Sequence, residues 1–241
     1  MFEAILNFLL TSKESQNWGY NASTFWVLGV NAFTIVEWWG LRQQNKKIWK
    51  EKSGESLSVT LFSFGLFAFF SFVLYGAAIG SVSSVINGLV LGSMYASTTY
   101  GIWLFKKWNV REKVQFWLFA FTTILPMAIF PWYDEMFLII FSGMIVATAT
   151  WPWEIWKTGK TGVIEILLLI TYLASTIFWA GYALDIEEWV LQIIVLTNLS
   201  VLITTTAMWG WYRWKELHSG TTILTSCFCH WKEWKKKRAR A

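Results

Sequence analysis

A chain of 241 residues with 55% hydrophobic and 15% charged side chains, and a mean hydropathy of +0.43, is too apolar for an ordinary soluble domain. A net charge of +5 would suit a nucleic acid, yet the basic residues stand in short islands between long uncharged runs. That distribution excludes nucleic acid as a partner and describes a polytopic helical membrane protein.

The chain opens with MFEAILNFLLTS, in which Glu3, Asn7 and Thr11 form one polar stripe and Phe2, Ile5, Leu6, Leu9 and Leu10 fill the rest of the helix. This predicts an amphipathic helix lying in an interface, with no basic leader region. Residues 13–23 read as a polar loop, so residues 1–23 make an N-terminal interfacial helix and loop.

Seven apolar runs follow, at 24–44, 57–79, 82–105, 114–130, 136–154, 163–184 and 188–212. Each is close to the ~20 residues that a bilayer-spanning helix needs. Most of the 19 tryptophans stand near the ends of these runs, among them Trp38, Trp39, Trp103, Trp132, Trp151 and Trp211. There an indole anchors a helix at the membrane interface.

Orientation follows from the loops. Arg42, Lys46, Lys47, Lys50 and Lys52 make a basic loop, Arg42 to Glu55, after the first run. Lys106, Lys107, Arg111 and Lys113 follow the third run, Lys157 and Lys160 the fifth, and Arg213, Lys215 and the basic tail the seventh. The opposite loops are short or acidic, as at Asp134-Glu135 and Asp185–Glu188, and carry Lys13 as their one cation. The positive-inside rule then predicts an outer N-terminus and a cytoplasmic C-terminus; the plasma membrane is the expected location.

The plan is duplicated. Runs one to three and five to seven share a basic loop, then an aromatic–tyrosine end, then an asparagine. Phe72 and Tyr75 match Trp179 and Tyr182, and Asn87 matches Asn198. The tyrosine-to-asparagine spacing is 12 in the first copy and 16 in the second. A unit of three spans is odd, so a direct second copy would be inserted upside down unless one further span separates the two. The predicted fold is therefore an all-α membrane protein of seven transmembrane helices in a 3+1+3 order. It has a first repeat at 24–105, a linker helix region at 106–135, a second repeat at 136–214 and a basic cytoplasmic tail at 215–241.

With these features the chain resembles the PQ-loop superfamily and its SWEET and SemiSWEET branch of sugar transporters. Gln43-Gln44 precede Lys52-Ser53-Gly54-Glu55-Ser56-Leu57-Ser58, which keeps the glutamine of the family motif without its proline. Trp151-Pro152 keeps the proline without the glutamine. The resemblance implies that Phe72, Asn87, Trp179 and Asn198 line a solute pocket. It also implies that Gln44, Pro152, Tyr75 and Tyr182 serve gating. PnuC-type vitamin transporters share the 3+1+3 plan and are the nearest rival.

Read by themselves, the asparagines can hydrogen-bond a hydroxyl-rich solute or glue helices together. Their matching places favour the pocket. Glu37, an ionisable group inside a run, is a coupling carboxylate, a gate, or a side chain snorkelling toward the basic loop. Glu165 suits a helix start and carries no role in transport.

Cys227-Phe228-Cys229-His230 lacks a second ligand pair, so no metal is expected, and no cofactor either. The two cysteines offer no disulfide framework. The adjoining Lys/Arg cluster suits anionic lipid at the cytoplasmic face. Nothing resembles a nucleophile–base pair or a phosphate loop, so no enzymatic activity is expected. The expected function is a facilitator for a small neutral polar solute, most simply a sugar, with a homo-oligomer left open. The alternatives are a vitamin facilitator (nicotinamide riboside or thiamine, for example) and a non-transporting PQ-loop receptor or sorting protein.

Overall fold

The computed structural model describes residues 2–52, 59–129, 132–159 and 166–238. Residues 53–58, Glu165, and the side chains of Gln44, Cys227, Cys229 and His230 lie outside that description. The described residues are helical: α1 Phe2–Thr11, α2 Lys13–Gln16, α3 Ala22–Glu51, α4 Val59–Ile79, α5 Val82–Phe105, α6 Val110–Ile129, α7 Tyr133–Thr158, α8 Ile166–Asp185 and α9 Trp189–Arg238. Three stretches, Val59–Ile79, Tyr133–Lys157 and Trp189–Lys215, are long and apolar enough to cross a membrane.

Two expectations are corrected. The supposed polar loop at 13–23 contains α2, whose Ser12 cap accepts a hydrogen bond from the Ser15 amide at 3.2 Å. The basic loop after the first run is helical as far as Glu51, so α3 is one helix of 30 residues. Tertiary packing extends it: Ile48 is buried, and Ile48 and Trp49 close over Gly101 of α5. The Arg42 guanidinium lies over the rings of Trp38 and Trp39, 5.2 and 5.5 Å from their centroids. The helix stops where Lys52 turns into the left-handed region, at φ 48°.

Elsewhere local signals set the boundaries. Asn109 and Glu112 cap α6 reciprocally, each side chain accepting from the other's backbone amide at 2.8 and 2.9 Å. Pro152 is accommodated, half-buried, inside α7 toward its basic end.

The packing repeats. α5 packs against both α3 and α4, and α9 packs against both α7 and α8. Close approach of α5 to α4 depends on Gly88, where a Cβ would stand 2.7 Å from the Phe69 carbonyl oxygen. The two sets of three meet along a seam where α3 touches α8 and α4 touches α7, while α6 rests on α4 and α7. The main buried core lies along this seam, from Val27 and Val30 of α3 through Phe72 and Tyr75 of α4 to Trp179 and Tyr182 of α8.

Candidate functional site along the helix seam

At the acidic end of the seam, α2 docks Glu14 onto the start of α5. The carboxylate is 6% exposed. It accepts the amides of Val82 and Ser83 at 3.0 and 2.9 Å, the Ser81 hydroxyl at 3.1 Å and the Tyr182 hydroxyl at 2.5 Å. A carboxylate at a helix N-terminus satisfies amides that lack intrahelical partners and suits the macrodipole. Burial pushes the Glu14 carboxyl up, but the hydrogen bonds from Tyr182 and from the amides of Ser83 and Val82 outweigh it. The group is held below its ordinary value of 4.5. Lys13 completes the closure by pairing with Glu188 beyond α8, while its amide bonds the Gly80 carbonyl at 3.0 Å. One short segment thus ties α2, α5 and α8 together.

Beneath this latch the predicted aromatic residues meet. Phe72 and Trp179 are both buried, with ring centroids 5.2 Å apart. Tyr75 stacks on Phe137 of α7 at 4.0 Å, and Trp179 meets Tyr182 edge-on at 5.6 Å. The four residues expected to divide between binding and gating form one aromatic cluster across the seam, with Phe72 and Tyr75 both stacked on Phe137.

The same stretch of seam contains a reciprocal fit. A Cβ at Gly29 of α3 would fall 1.9 Å from the Phe178 ring of α8, and a Cβ at Gly181 of α8 would fall 2.4 Å from the Trp26 ring of α3. Each helix seats its partner's aromatic ring on its own glycine.

Polar groups line the same seam. The Asn87 amide donates to Thr34 Oγ1 at 2.8 Å, and both residues are buried. Asn198 is half-buried and donates to Thr176 Oγ1 at 3.4 Å. Neighbouring residues join the two pairs across the seam: Glu37, one turn beyond Thr34 on α3, accepts the hydroxyl of Ser175 on α8 at 2.6 Å. Glu37 does not snorkel to the basic segment, whose Arg42 is occupied by Trp38 and Trp39. Tyr95 of α5 and Tyr172 of α8 stand within electrostatic reach of it. Along α3 the order from the latch is Thr34, bonded to Asn87, and then Glu37 one turn further on.

Gln44 and Pro152 fall on α3 and α7 toward the basic end, the side chain of Gln44 lying outside the described residues. An apolar cavity of 160 Å³ lies off the seam, between α4, α5 and α6, bordered by Leu66, Tyr100, Trp103 and Phe116.

Reasoning from sequence missed Thr34, Ser175 and Thr176, although Asn31, Thr34 and Glu37 recur every third residue in an apolar run. That spacing is a legible polar stripe. It also missed Glu14, for which the sequence offers no comparable signal.

No family model and no curated protein matches this sequence. Among solved structures, a eukaryotic SWEET transporter aligns with a TM-score of 0.68 at 12% identity, over 80% of this chain and 97% of that one. At that identity the likeness concerns architecture, and this chain therefore has the fold of a SWEET transporter.

Proposed function

We propose that this chain is an integral membrane facilitator that moves a small polar solute by alternating access. The solute is most simply a mono- or disaccharide. In this reading seven helices, α3 to α9, span the bilayer as 3+1+3, with α6 the joining helix. The N-terminus is outside and the basic tail lies against anionic lipid at the cytoplasmic face.

The observation that carries the reading is the line of amides and hydroxyls that crosses the seam between two similarly packed sets of three helices. A solute with many hydroxyls can exchange hydrogen bonds with Asn87 and Asn198, and the faces of Phe72 and Trp179 suit its C–H surface. In this reading the acidic end, closed by the latch and the aromatic cluster, is the outer one. The likeness to a SWEET transporter and the PQ-loop resemblance support the same assignment.

Counterflow of labelled glucose or sucrose in proteoliposomes tests the reading. The expected result is sugar exchange that falls at least tenfold in Trp179→Ala and Asn87→Ala, the equivalent of ~1.4 kcal/mol. Absence of sugar flux, with flux of thiamine or nicotinamide riboside instead, would replace the solute class.

A further inference from the structure

Glu37 is the one part of the seam that a passive sugar path does not need. Its carboxylate lies half-buried one turn beyond Thr34, the partner of Asn87, with Oε1 bonded to Ser175. The helices packed on α3 bring no cation to it: Tyr95 faces it from α5 and Tyr172 from α8. On α3 itself, Arg42 is stacked on tryptophan rings. On α2, Lys13 and Glu14 are engaged at the far end. The single bond of Glu37 crosses from one set of three helices to the other, along a contact that alternating access must change.

Resting on the transport reading above, we propose that Glu37 binds and releases a proton in each cycle and so couples solute movement to a proton gradient. The ionised carboxylate holds Ser175 across the seam. When the halves part and that donor withdraws, an ionised group would be left at membrane depth without a counter-ion, and a proton taken from the open side neutralises it. The step is reversible addition of one proton to the carboxylate, with no other bond made or broken. A ligand that binds one arrangement of the seam better than the other shifts the population of the two, and here that ligand is the proton.

Two measurements on the reconstituted full chain test this. Infrared difference spectra on titration are expected to show a titrating carboxyl C=O band. The band should vanish in Glu37→Gln and shift its midpoint in Ser175→Ala. A band unaffected in both variants belongs to another carboxyl and overturns the proposal, as does the absence of a titrating band. Separately, an outside-acid pH gradient is expected to drive labelled glucose above its outside concentration in wild-type vesicles. A protonophore or Glu37→Gln should return the ratio to unity. Wild-type glucose exchange that ignores the gradient overturns the coupling and leaves the facilitator standing. A band assigned to Glu37 with no glucose flux supports the proton site and removes the sugar reading.

Discussion

Glu14 and Glu37 are carboxylates taken into the same helical seam in opposite ways. Glu14 has four donors, two of them backbone amides at the start of α5, and is almost fully enclosed. Glu37 has a single hydroxyl from across the seam and is half-buried. The number and rigidity of the donors set the role. Fixed amides and a buried tyrosine make Glu14 a structural bolt. One hydroxyl on the opposite half leaves Glu37 able, on the coupling proposed above, to change partner and proton.

The largest effect is expected at the bolt. Glu14→Ala leaves the Val82 and Ser83 amides without their acceptor, takes one partner from the Tyr182 and Ser81 hydroxyls, and should destabilise the protein by about 2–4 kcal/mol, read as a lower thermal midpoint in detergent. A loss no greater than that of Glu37→Ala would erase the contrast between the two sites. Tyr182→Phe removes one donor and should cost about 1–2 kcal/mol. Combined with Glu14→Ala it should cost less than the sum, since both break the same bond.

Acid sharpens the contrast further. The folded-state value of Glu14 lies below its ordinary 4.5, so its contribution is complete above that value and disappears as pH falls through the depressed one. The wild-type thermal midpoint should drop on acidification more steeply than that of Glu14→Gln, and parallel curves would remove Glu14 from the account. The smallest difference separates the asparagines. Asn87→Ala, which breaks a buried 2.8 Å bond, should cost about 1 kcal/mol, whereas Asn198→Ala, at 3.4 Å and half-buried, should cost a few tenths. Equal losses in thermal melts would show the two sets of helices to be equivalent at this depth.

Much of this arrangement was legible from the residues. Long uncharged runs gave the helical class, because a bilayer leaves the backbone few other ways to satisfy its polar groups. The spacing from tyrosine to asparagine differs between the two copies, and the bonds of the two asparagines differ as well, at 2.8 and 3.4 Å. The latch was illegible for a physical reason: Glu14 looks like any polar loop residue, and its partners lie 67 to 168 positions away. The helical extension of α3 past Arg42 was hidden similarly, since a run of charged and amide side chains reads as solvent-exposed until Ile48 is seen buried against α5. Glu37 was visible as an ionisable group in a span, but its direction depended on which helix stood opposite.

The paired ring-on-glycine seats make the upper half of the contact between α3 and α8 a hinge with no slack. Even one methyl group at Gly29 or Gly181 would act there as a wedge. The wedge enters far from Glu37, so it would pry apart the end nearest the latch while leaving the deeper end clasped. On the transport reading proposed above, a chain altered in this way would favour the opposite opening while its asparagines and Glu37 stay unchanged.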